Sequence, residues 1–326
     1  MTSSDLLAHN LLSPVILSFV LGIIAKLTRS DLAFPEALSK TLAIFLLLAI
    51  GMKGGTALDS AHLDQVMWAA LATLIIGLAI PCWTYAIAKR LGKFNAPDAA
   101  SLAAHYGSTS AVTFLATVAF LTSAGQPPEG FMPALLALME VPAIVVALVI
   151  LRRSQATADT DTNSASIGAV VAQVIASKSI LLLLGGLVIG WAAGRDNMAE
   201  VSAFFVAPFK GVLCLFLLEL GMVAAGQIGE LRARWKFLIP FAILLPLTHG
   251  FIGVFAGHWA GLSPAGATVL GTLAASASYI AAPAAMRIAN PNANHALALA
   301  ASLGVTFPFN LALGIPLYHG LATMLA

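Results

Sequence analysis

The sequence predicts an all-α integral membrane protein: ten transmembrane helices in two inverted five-helix repeats, with two discontinuous helices crossing near the midplane. Three observations carry that expectation. The chain of 326 residues is 60% hydrophobic and only 9% charged, where a soluble domain carries about 25% charged residues. Its apolar runs reach the roughly 20 residues that a bilayer-crossing helix needs. The same order of features appears in each half. Polar side chains are too few to cover a water-facing surface, so the lipid bilayer is the outer solvent. No nucleic-acid partner is expected.

Reading from break to break places the spans at 11–27, 37–52, 65–88, 98–122, 131–151, 178–194, 204–225, 236–257, 264–287 and 294–320. Backbone hydrogen bonding in lipid permits only helices or closed barrels, and runs this long exclude barrel strands. The one plainly hydrophilic stretch, SQATADTDTNSAS at 154–166, reads as a flexible cytoplasmic linker. The organisation is therefore a first repeat at 1–153, a linker at 154–177 and a second repeat at 178–326. Grouping the loops by side puts Lys26, Arg29, Lys40, Lys89, Arg90, Lys93, Arg152, Arg153, Lys178, Arg232, Arg234, Lys236 and Arg287 together. Lys53, Arg195 and Lys210 fall on the other side. The first side is cytoplasmic by the positive-inside rule, and both termini face outside. The opening MTSSDLLAHN lacks the positive start of a secretory signal.

The halves match in detail. FLLLAIGMKGG at 45–55 pairs with FLLELGMVAAG at 216–226, and each is preceded by a span, a charged turn (Arg29–Asp31, Arg195–Asp196) and a lysine (Lys40, Lys210). LGKFNAPDAASLAAHYGSTSAVTF pairs with GLSPAGATVLGTLAASASYIAAPA, and Glu140-Val141-Pro142 lies opposite Thr306-Phe307-Pro308. An odd number of spans per copy inserts the second copy upside down. Inverted repeats of this kind are typical of secondary transporters, whose sites lie near midplane on interrupted helices.

The interruptions are expected at Gly107, Ser108, Thr109 and Ser110, and at Ser276, Ala277, Ser278 and Tyr279. A span unwound at its centre leaves N–H groups free at the start of its second half, and with the helix dipole they suit an anion. Small residues allow close approach, and hydroxyls donate hydrogen bonds without adding a fixed charge. Pro283 lacks an N–H and frees the Tyr279 carbonyl for a cation. Small residues at such places also serve tight helix packing; two clusters at equivalent positions favour a site.

Ionisable residues within spans are costly and mark function. Glu140, in LLALMEVPAIVV, is a candidate cation ligand or an acceptor fixing a neighbouring helix. Thr306 and Asn310 add oxygen donors suited to a hard cation. Asp98 follows Pro97 at a helix start and is divided between that role and the site. Glu219 is divided between a site role and pairing with a basic residue at a boundary. His105 and His249 read as hydrogen-bonded helix residues, and Cys82 and Cys214 as small core hydrophobes that form no disulfide framework. No nucleophile–base pair, metal cluster, P-loop or dinucleotide fingerprint appears, so an enzyme and an organic cofactor are not expected.

LLSPVILSFVLGIIAKL, LLLAIGMKGG, YGSTSAVTF, ASASYIAAPAAMR and TFPFNLALGIPLYH together resemble the sodium-dependent bicarbonate transporter family of cyanobacteria and other bacteria, over nearly the whole chain. The resemblance implies a sodium–bicarbonate symporter of the bacterial inner membrane, assembled as a homotrimer. Bicarbonate then binds between the broken helices, at Ser108, Thr109 and Ser110 and at Ser276, Ala277 and Ser278, with sodium close by. Asp98, Glu140 and Asn310 stand where the family has polar residues. A PII-like regulatory protein docking on the cytoplasmic face is the implied partner. The residues alone also admit a symporter of another small carboxylate or organic anion, a sodium/proton antiporter, and a membrane sensor that binds an anion without moving it.

Overall fold

The computed structural model describes residues 10–58, 63–156 and 166–326, and every regular element among them is helical. In chain order the helices are α1 (Pro14–Leu27), α2 (Glu36–Gly55), α3 (Leu63–Arg90), α4 (Ala96–Gly107), α5 (Ala111–Ser123), α6 (Met132–Ala156), α7 (Ile167–Ile175), α8 (Lys178–Phe205), α9 (Phe209–Gln227), α10 (Trp235–Trp259), α11 (Pro264–Ala275), α12 (Ala281–Ala289) and α13 (His295–Leu325). A 3-10 turn, Ile228–Ala233, extends α9.

Seven helices among the described residues are long and apolar enough to cross a bilayer: α2, α3, α6, α8, α9, α10 and α13. The three remaining expected spans have a different form. The first is the 14-residue α1, and the other two are each divided, into α4 and α5 and into α11 and α12. Within the expected linker, residues 157–165 lie outside the described residues, as do residues 1–9. Its last part is not coil. Ser166 caps α7 by accepting the Ala169 N–H at 3.1 Å, and Val170 and Val174, one turn apart, are buried. The charged turn at Arg195–Asp196 follows Gly194, whose φ of +71° kinks α8; glycine takes that left-handed conformation without steric cost.

Two groups of helices form. In one, α1 packs on α9 and α2 on α8, with α2 also touching α9. Glycines set this spacing. A Cβ on Gly190 would lie 2.0 Å from the Met52 carbonyl oxygen, and one on Gly55 would lie 2.1 Å from that of Leu187. Gly22 and Gly221 bring α1 and α9 equally close. Small-xxx-small faces allow such backbone approach in a bilayer, where lipid removes the usual hydrophobic drive between helices. The other group gathers α3, α4 and α6, and α10, α11 and α13, joined by contacts of α3 with α10 and of α5 with α11.

Helix α13 is irregular, with π-helical turns at Ser302–Thr306 and Asn310–Gly314. Pro316 removes the N–H that would bond the Ala312 carbonyl, and Asn10 Nδ2 supplies the donor at 3.2 Å. Pro246 in α10 likewise orphans the Ala242 carbonyl, and the Thr306 hydroxyl donates to it at 2.7 Å. Hydroxyls commonly repair proline breaks in this way within membranes.

Cys82 and Cys214 are free thiols. The expectation that both are core residues is corrected here: Cys82 is exposed and Cys214 half-buried. Helix α3 is apolar on nearly every face, so its sequence holds no periodicity to tell the lipid side from the protein side.

Candidate functional site

Helices α4 and α11 are built alike. Each has 12 residues and a proline in its first turn; Asn95 caps one by accepting the Asp98 N–H, and Ser263 caps the other by accepting that of Gly266. Each ends on a serine in extended backbone, Ser108 (ψ 168°) and Ser276 (ψ 165°). A serine two residues on then restarts the chain. Ser110 Oγ accepts the Thr113 N–H at 3.1 Å and caps α5; Ser278 Oγ accepts that of Ala282, in the first turn of α12, at 3.1 Å, although Ile280 is the residue at the start of that helix. Pro283 falls in the first turn of α12, where a missing N–H costs no intrahelical bond.

The two breaks bond to each other. The Ser110 N–H donates to Ser276 Oγ at 2.9 Å, and the Ser278 N–H donates to the His105 carbonyl at 2.7 Å. Ser108, Thr109, Ser110, Ser276, Ala277 and Ser278 are all buried, none more than 4% exposed. Gly107 lets the first break approach closely: a Cβ there would meet Pro81 Cγ at 2.4 Å and Ala143 Cβ at 2.9 Å. Tyr279 brings a buried hydroxyl beside Ser110 that closes no hydrogen bond of ordinary geometry among the described residues. The result is a crossing lined by hydroxyls and main-chain amides, with no fixed charge at either break.

Glu140 sits against this crossing. The Ser108 hydroxyl points to its main-chain carbonyl at 3.4 Å, and its carboxylate Oε2 is buried without a hydrogen-bond partner among the described residues. Asn310 faces the other break, donating from Nδ2 to the Ala275 carbonyl, the last of α11, at 2.8 Å. Its Oδ1 accepts from Tyr318 Oη at 3.2 Å. Thr306, its hydrogen given to Ala242, lies 2.8 Å from Tyr106 Oη, which leaves Tyr106 as the donor of that pair. Helix α13 thereby grips the ends of both α4 and α11. Asp98 is elsewhere: it lies nine residues before Gly107 on α4, about 14 Å along the helix at 1.5 Å per residue. There its Oδ1 accepts the Asn294 N–H at 2.7 Å.

The other polar candidates have local partners. His105 Nδ1 lies 2.8 Å from the Ser101 carbonyl, and His249 Nε2 accepts from Trp83 Nε1 at 2.7 Å. Glu219 accepts from the Ser39 hydroxyl across α2 and α9, a neutral partner where a basic one was one of the expectations. Tyr106 is the site residue that sequence reading missed. Its position one residue before Gly107 was a signal, but its partner on α13 was not visible.

Two interrupted helices meeting at a buried polar crossing, within a chain of membrane-length helices, define a multi-pass membrane protein of the transporter class. The sequence model of the Na+-dependent bicarbonate transporter superfamily matches residues 14–323, nearly the whole chain, and the chain belongs to that superfamily. At the level of the family, its activity is Na+-dependent transport of bicarbonate, with sodium as the coupling ion. No curated protein gives a significant match.

Proposed function

We propose that the protein is a sodium-coupled bicarbonate importer working by alternating access, with the anion held between the two broken helices. The pair of hydrogen bonds that links the breaks carries this reading. They satisfy two amide donors at the crossing without any cation, and an entering oxyanion exchanges its oxygens for the serine and histidine oxygens now on those donors. Ser108, Thr109, Ser110, Ser276, Ala277, Ser278 and Tyr279 line that place, and Gly107 permits the approach. Sodium sits on the Glu140 side, where a buried carboxylate oxygen lacks a partner. Asn310 and Thr306 shape the wall, and Asp98 ties the far end of α4. Each ligand favours the other because opposite charges meet at short range in a low dielectric, and that coupling is reciprocal.

Ten spans in two inverted repeats are part of the proposal. The matched builds of α4 and α11 support it, as does the exchange of partners between halves, α1 on α9 and α2 on α8. The two helix groups of the fold are the bodies that move against each other. On this reading the protein forms a homotrimer in the bacterial inner membrane with both termini outside, and its cytoplasmic face is where a PII-like regulator docks.

Labelled bicarbonate uptake into proteoliposomes, with carbonic anhydrase on both sides, tests the reading. Accumulation driven by an inward sodium gradient is expected. Folded protein that takes up another small carboxylate and no bicarbonate, or that binds bicarbonate without accumulating it, would overturn it.

A further inference from the structure

Two cavities of about 210 Å³ each lie between α2 and α5, the first closed by the end of α8 and the start of α9 and the second by residues 127–133. Ile50, Lys53, Val118 and Thr122 line both. The first adds Lys210. The second extends to Phe114, one helical turn from Ser110, whose carbonyl accepts the Phe114 N–H at 3.1 Å. Together they follow α5 from its far end towards the crossing.

The charges here are unbalanced. Lys53 and Lys210, two of the three basic residues assigned to the sparsely basic side, line the same first cavity. Lys210 Nζ donates to Ser123 Oγ at 2.6 Å, and neither ammonium has a carboxylate partner among the described residues. Lys40, the counterpart of Lys210 in the first half, is instead paired with Glu36 at 2.6 Å. Glu129 is the one carboxylate lining either cavity among the described residues. Its Oε1 accepts the Ser263 N–H at 2.7 Å and its Oε2 is buried without a hydrogen-bond partner among the described residues, so one carboxylate stands against two ammonium groups. The Thr122 hydroxyl is buried without a partner among the described residues. Two cations on a low-dielectric wall repel until an anion enters between them, and such a wall concentrates anions before they bind.

We propose that Lys53, Lys210 and Thr122 form a gathering site for a small oxyanion at the mouth of the path along α5 to the crossing. This rests on the transport reading only for the identity of the anion, bicarbonate.

The local field is read first, without transport. Ala119→Cys, which lines the first cavity, is made with Cys82 and Cys214 changed to alanine and labelled with anionic and cationic methanethiosulfonates. The ratio of anionic to cationic rates is expected to fall about tenfold in K53Q/K210Q, and bicarbonate is expected to slow the anionic reagent only where the lysines are present. An unchanged ratio, or no protection by bicarbonate, overturns the site. In proteoliposomes, K53Q/K210Q is expected to raise the bicarbonate KM about tenfold at low ionic strength while keeping the maximal rate, with K53R/K210R restoring it. An unchanged KM overturns the site while leaving the importer standing. Absence of uptake by the unaltered protein overturns the importer, and the labelling ratio still decides the site.

Discussion

At Ser276 one oxygen serves both sides of the crossing. It donates to the Leu273 carbonyl at 2.8 Å and accepts the Ser110 N–H at 2.9 Å. Ser276→Ala leaves that N–H buried with no acceptor, which costs about 1–3 kcal/mol. The expected result is a lower unfolding temperature of the purified protein together with weaker bicarbonate uptake. Ser276→Thr keeps the oxygen and is expected to restore most of the stability; equal loss in both variants would assign the effect to packing. Glu140 offers the complementary case. Its buried, unpartnered Oε2 is an expensive group to hold as a charge unless a cation visits. Glu140→Gln preserves the shape and removes the charge, so it should raise the sodium concentration for half-maximal uptake. If the sodium dependence stays in place, the carboxylate is structural.

At the scale of helices, prolines and glycines decide what the polar residues must do. Thr306 was expected among cation ligands because it is an oxygen donor inside a span; its hydrogen goes to the carbonyl that Pro246 orphans, and its oxygen accepts from Tyr106 Oη with one lone pair left over. That commitment was not legible in the sequence, because α10 and α13 meet only in space. The breaks in α4–α5 and α11–α12 were legible, since each signal is local: a glycine or serine ending, a serine restart and a capped beginning. A coupling test follows. Thr306→Val costs about 1–3 kcal/mol by leaving the Ala242 carbonyl unsatisfied. Pro246→Ala returns a backbone donor to that carbonyl, so Thr306→Val should cost measurably less in the Pro246→Ala background. Strict additivity of the two unfolding shifts would show that the pair is not coupled. Adjacent glycines in α8 make the packing argument equally sharp. A Cβ on Gly186 would come 2.9 Å from the Leu48 carbonyl oxygen, whereas one on Gly185 meets nothing within 4 Å. Gly186→Leu should lower the yield of folded protein, and Gly185→Ala should not.

Across the whole molecule, composition announced membrane-length apolar helices, and the recurring feature order raised the expectation of two comparable halves. Neither announced which helices pack together, because that depends on contacts between distant parts of the chain. The glycine seams of α1 with α9 and α2 with α8 leave no room between those backbones, so the four helices form one tightly packed unit, the body that moves in the proposed cycle. The seam between that unit and α5 is looser, and it holds the two cavities. Ile50 on α2 and Val118 on α5 line both of them and belong to opposite units. In the proposed alternating-access cycle, motion between the units changes their separation. Ile50→Cys/Val118→Cys, made with Cys82 and Cys214 as alanine, can be bridged by a short bifunctional thiol reagent. Bridging should abolish sodium-driven bicarbonate uptake, and reduction should restore it, with each single variant insensitive to the reagent. Full uptake by the bridged protein would mean that α2 and α5 keep their spacing throughout the cycle, and the moving boundary would have to lie elsewhere in the fold.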